Sequence, residues 1–176
     1  MKKVLILLTV LILSGTAIAQ KKETQQPKEE TQQKELPQPF KGGNEAYNQF
    51  FKDSLQVTAD IIKAKASGTA IFKFTADAKG NISKIVVYYA DDYLIAQPAI
   101  EALKKTNGQW VIPEKMKFYD FVITFSVNFI PSNANRLLTQ KAMYTYYASR
   151  KPIVAVNQVP LNQATLLPTV VVNYEQ

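Results

Sequence analysis

The chain has 176 residues, 47% of them hydrophobic, and a formal net charge of +7. It contains no cysteine and no histidine. This excludes disulfides, a thiol nucleophile, thiolate metal sites and an acylated N-terminal cysteine, and removes the commonest general base and zinc ligand. Arg136 and Arg150 are the only arginines, so bidentate phosphate recognition has few candidates and the moderate basic excess does not point to nucleic acid.

Lys2 and Lys3, the apolar run Val4 to Leu13, and the small residues ending in Ala17 and Ala19 follow the order of a secretory signal. Residues 1–19 are expected to be removed after about Ala19, which places the mature chain in the periplasm. The alternative is an uncleaved N-terminus acting as an inner-membrane anchor. Removing the two lysines of that segment from the formal +7 leaves +5.

Residues 20–39 carry four lysines against four glutamates and repeat a phrase, Lys22 to Gln26 and then Glu29 to Gln33. Such a composition cannot bury enough apolar surface to offset chain entropy, so a disordered polar linker is expected. From Phe40 the pattern becomes globular. Ala46, Tyr47, Phe50 and Phe51 share one helical face, with Asn44 as a candidate N-cap. Ile61, Ile62 and Ala64 extend a helix or pack as a loop. Gly68 then opens a strand in which Ala70, Phe72, Phe74 and Ala76 alternate with Ile71, Lys73 and Thr75. The turn residues Asp77 to Asn81 and the β-branched run Ile82 to Tyr89 complete a hairpin.

Pro98 fits a first helical turn, Ala99, Ile100 and Leu103 form an apolar stripe, and Asn107-Gly108 supplies the stop. Trp110 and Pro113 lead into the longest period-two pattern in the chain. There Phe121, Ile123, Phe125, Val127 and Phe129 alternate with Val122, Thr124, Ser126 and Asn128. The expected fold is α+β: a small antiparallel sheet, hairpin plus long last strand, with two helices packed on one face. Residues 40–130 form the domain and 131–176 a C-terminal extension. The extension is read as a helix over 133–147, with Leu137, Leu138 and Ala142 inward, and then an extended, proline-containing tail.

These pieces together resemble the C-terminal domain of TonB and its relatives, common in Gram-negative bacteria. The resemblance runs over Phe40, Gly42 and Gly43, Gly68 before an alternating strand, Asp77-x-x-Gly80, and Trp110 followed by Pro113 and a long strand. It implies a non-enzymatic binding module that pairs by β-strand addition with an extended segment of an outer-membrane transporter or another envelope protein, linked to TonB-dependent transport. The implied partner-binding edge is Tyr119, Phe121, Ile123, Phe125, Val127 and Phe129. Two local departures are Ala59 to Ile62, where the family usually has a Tyr-Pro pair, and the two residues between Trp110 and Pro113. A transducer of this family also keeps a membrane anchor and a long proline-rich arm; with a cleaved signal and a short linker, an adaptor is expected instead.

The tail segment Pro168, Thr169, Val170, Val171 and Val172 looks like the transporter segment such domains bind, so it is a candidate interaction strand for the domain's own edge or a neighbour's. A second reading stays open: a secreted structural, assembly or protease-inhibitor-like protein whose tail is the interaction strand. Asp91-Asp92 are better suited to starting a helix than to binding a cation, and Tyr144, Tyr146 and Tyr147 to packing and rim roles than to stacking bases. Glu101 has no second acid at helical spacing for a catalytic pair. No metal, cofactor or catalytic residue is expected.

Overall fold

A computed structural model of the chain describes residues 38–132, 136–156 and 163–175. The expected signal segment 1–19, the linker up to residue 37 and the first residues of the helix expected over 133–147 lie outside the described residues. Pro39, at the end of the expected linker, is already tied into the fold, its carbonyl accepting from the Val111 N–H at 2.9 Å.

Four helices and six strands follow one another as α1 (Gly43–Ser54), α2 (Ala59–Ala64), β1 (Gly68–Asp77), β2 (Ile82–Ala90), α3 (Tyr93–Lys105), β3 (Phe118–Ile130), α4 (Arg136–Ser149), β4 (Ile153–Val154), β5 (Ala164–Leu166) and β6 (Val170–Glu175). The class is α+β, as the patterning implied, but the sheet is larger and mixed. β1 pairs antiparallel with β2 and β3, and β4 adds antiparallel to the end of β2. β5 and β6 both pair in parallel with the far side of β3. The expected small antiparallel sheet ending in β3 is thus corrected. A parallel neighbour needs a long crossover, and residues 131–163, which include α4 and β4, provide it.

The hairpin turn forms because the Asp77 carboxylate accepts from the Lys79 and Asn81 N–H groups, both at 2.9 Å. Gly80 follows at φ +84°, and a Cβ there would sit 2.4 Å from the Trp110 carbonyl oxygen. The turn therefore docks flush on the segment after α3. Alternation along β1 and β3 sends Phe72, Phe74, Phe121, Ile123 and Phe125 into one core with Tyr47 and Phe51 of α1 and Ile95 and Leu103 of α3.

Local patterning misplaces three helix details. The N-cap of α1 is Gly42, at φ +83° with no side-chain cap, rather than Asn44, which lies inside the first turn. The start of α3 is Asp92, whose side chain accepts from the Leu94 N–H at 2.9 Å; Pro98 is buried well inside the helix instead of opening it. In α4 the inward residues are Thr139 and Tyr146, while Leu137 and Leu138 are 82% and 68% exposed. Apolar residues are spread around α4, so its period leaves the inward face undetermined, and packing against α2 selects it.

Candidate functional site

The long strand β3 was expected to present a free edge. Instead both its ladders are taken: Gly68 to Asp77 of β1 pair on one side, and the C-terminal tail pairs on the other. Tyr119, Phe121, Ile123, Phe125, Val127 and Phe129 all point to the helix-covered face of an interior strand, and the last five are buried. They come together as predicted, but as core rather than as an unpaired edge. The reason lies in the tail, whose β-branched residues fit beside the alternating aromatic residues of β3.

The tail is held at several points. The Leu167 N–H donates to the Val122 carbonyl at 2.9 Å, and Leu167 and Val170 are buried in the main core. The Tyr47 hydroxyl, whose pKa burial pushes well up, donates to the Pro168 carbonyl at 2.7 Å. Tyr174 packs on Phe129, and its hydroxyl lies 3.0 Å from the Ile61 and 2.9 Å from the Ala66 carbonyl oxygen. Burial raises that phenol to about 12, so at neutral pH it is a donor. Thr165 meets the Tyr119 hydroxyl at 3.1 Å, and Asn173 accepts from Asn128 at 3.1 Å.

Beyond the tail the described sheet ends. Among the described residues, β6 pairs only with β3, so its outer backbone groups form an unpaired ladder. Beside it runs a groove of about 580 Å³, lined by Asn48, Phe51 and Lys52 of α1 and by Thr169, Val170, Val171, Val172 and Asn173. The predicted interaction residues 169–172 are thus gathered at one open edge, and Pro168 is anchored by Tyr47. Asn48 and Lys52 were not singled out from sequence: they sit on the polar side of α1, and nothing local indicates that the tail lies alongside them.

The opposite edge is less suited to a partner. Along β2 the pairing with β1 is broken by irregularities at Ile71/Phe72 and Thr75/Ala76, and Lys84 stands exposed on the strand. Bulges and lysines are the usual ways a sheet edge is blunted. β6 carries neither.

The remaining predicted motif residues are structural. Phe40 bridges to Trp110, and Phe40, Tyr47, Phe74 and Phe121 surround the buried indole, whose Nε1 donates to Thr106 Oγ1 at 2.7 Å. A Cβ on Gly42 would meet that of Ala46 at 2.7 Å. Gly43 donates its N–H to the Phe40 carbonyl, and Pro113 accepts from Met116. Gly68 packs close to Asp91 and Ile95. Asp91 accepts from the Thr69 N–H and the Tyr89 hydroxyl and pairs with Arg150 at 3.0 Å, so the Asp91-Asp92 pair serves chain connections. Lys73 and Asp120 pair across β1 and β3, with Thr75 donating to the same carboxylate. Among the described residues no group of three or more His, Cys, Asp or Glu side chains is placed to hold a metal ion, and no helix is long and apolar enough to cross a membrane. Comparison with family models, with curated proteins and with solved structures returned no match.

Proposed function

We propose that the chain is a non-enzymatic, exported binding module of the TonB C-terminal type, acting by β-strand addition to an extended segment of an envelope protein. The observation that carries this reading is the open outer ladder of β6 running beside the α1 groove. Strand addition needs unpaired backbone groups for affinity and side-chain pockets for register, and this edge offers both. The same sheet already accepts one added strand, its own tail.

Addition outside β6 is preferred to replacement of the tail on β3. Displacing the tail returns Leu167 and Val170 to water, at roughly 1.5–3 kcal/mol each. It also breaks the hydrogen bonds of Tyr47 and Tyr174, at about 1 kcal/mol each. A strand added outside β6 incurs neither cost.

The test uses prolines and a photo-crosslinker. Successive residues of a strand turn their N–H groups to opposite sides, so of Val171→Pro and Val172→Pro one removes an outward donor and leaves the pairing with β3 intact. With a crosslinking residue at Lys52, cells exporting the protein should yield a crosslinked extended segment of one envelope protein. The outward-facing proline should abolish it while the circular dichroism stays unchanged. Crosslinking that survives both prolines, or none at Lys52 in the unsubstituted background, defeats the proposal. Sequencing the exported protein's N-terminus separates adaptor from anchored transducer: Gln20 supports the first, Met1 the second.

A further inference from the structure

Strand addition leaves one conspicuous surface unused. Residues 136–151, which comprise α4 and its exit, carry Arg136, Lys141, Arg150 and Lys151 and no acid. Thr139 and Tyr146 face inward. At 3.6 residues per turn, Leu137, Tyr144 and Ala148 fall on one outward stripe, with Lys141 beside it and Tyr147 on its flank. Leu137 is 82% exposed, Tyr144 73% and Tyr147 62%. An isolated exposed apolar residue means little, but a stripe of them on one helix marks a docking surface.

The charges around the stripe limit what can dock. Arg150 is engaged by Asp91 and stacks on the Tyr147 ring, 4.0 Å from its centroid. Arg136, Lys141 and Lys151 are exposed. Along the side of α4 a groove of about 640 Å³ opens toward α2 and α3, adding Lys63 and the apolar Leu94 and Leu138; its one acid is Asp60. The surface therefore layers leucine, tyrosine and lysine on one side of a short helix. That is the chemistry of a membrane interface: leucine at the acyl boundary, tyrosine at headgroup level, and lysine reaching back to phosphates.

We propose that α4 docks in plane onto an anionic lipid surface, leaving the β6 edge free for a partner. The helix has 14 residues and its outward stripe carries a single leucine, so the attachment is weak, reversible and dependent on anionic lipid. It rests on α4 and its flanks alone and stands whether or not strand addition occurs.

The absence of cysteine gives a local readout. Ala148→Cys on α4 and Lys79→Cys at the hairpin tip each accept a single environment-sensitive dye on the full chain. With phosphatidylglycerol-containing vesicles, the dye at position 148 should shift to the blue and become shielded from acrylamide, while that at 79 stays in water. Attachment through a part of the chain remote from both positions leaves both dyes in water. Neutral phosphatidylcholine vesicles should produce no shift. Lys141→Gln should weaken vesicle binding about five-fold, one basic residue's share, and Leu137→Glu should abolish the shift. Leu137 is largely exposed, so the fold should survive that change. No shift at 148, equal shifts at both positions, or equal response to neutral vesicles overturns the proposal and leaves an acidic protein as the partner to seek.

Discussion

The two flanks of β3 are built differently. On one side ten consecutive residues of β1, Gly68 to Asp77, run antiparallel to Phe118 to Val127 without a break. On the other the tail pairs in parallel in two pieces, three residues of β5 and six of β6, interrupted at Leu167 to Thr169. The first flank is closed by rings, with Phe74 stacked on Phe121 and Trp110 against both. The second is held by a few anchors: Leu167, Val170, and the hydroxyls of Tyr47 and Tyr174. A continuous, ring-packed ladder is the domain's core; an interrupted one held at points is a strand added to it.

The strongest challenge to that contrast is Trp110→Ala. The indole is 2% exposed, and its ring is shared between Phe40, Phe74 and Phe121. Its loss should cost about 3–5 kcal/mol, read from the midpoint of denaturant unfolding, and should take both flanks down together. If only the tail loosened, the ring cluster would not be the core of the first flank.

Tyr47→Phe should act more narrowly. It removes the hydrogen bond to the Pro168 carbonyl at about 1 kcal/mol. Amide exchange should speed up in β6 while the β1–β3 amides are unchanged. Equal acceleration in both would show that the two flanks open as one unit.

A third handle on the tail is alkaline pH. Burial raises the Tyr174 phenol from 10.0 to about 12 and pushes that of Tyr47 higher still. A folded pKa above the unfolded one means that the contribution is fully present below about 10 and is lost as pH rises through the folded value. Stability measured from pH 9 to 12 should therefore decline across the upper part of that range. Tyr174→Phe should flatten the decline. Tyr146, raised to about 12 mainly by burial, titrates in the same window, so Tyr146→Phe serves as the companion variant that separates α4 from the tail.

Much of the first flank was legible in the sequence. The alternation of Phe72 and Phe74 and of Phe121 to Phe129 states which side of each strand is buried, because side chains alternate at a period of two. Asp77 and Gly80 state the turn, because a carboxylate can accept from the N–H groups that follow it and glycine tolerates positive φ. Trp110, expected to lead into the long strand, is buried among Phe40, Tyr47, Phe74 and Phe121. The α4 face was not legible, because Leu137, Leu138, Tyr144 and Tyr146 do not share a side. Nor was the start of α3: Pro98 suggested one, and the Asp92 cap set another.

The tail shows most clearly what was divided between sequence and structure. Its β-branched run marks an extended strand, and the resemblance made it a candidate to pair with an edge. Which edge, in which direction and in what register depended on contacts across more than forty residues, from Phe125 to Val170 and from Phe129 to Tyr174. The sequence by itself determined β1, β2 and β3, the hairpin and their buried face, since these follow from neighbours along the chain. Only the tertiary structure decided that β3 is interior and that, among the described residues, β6 with α1 forms the open edge, because a free edge depends on which strand finds no partner there.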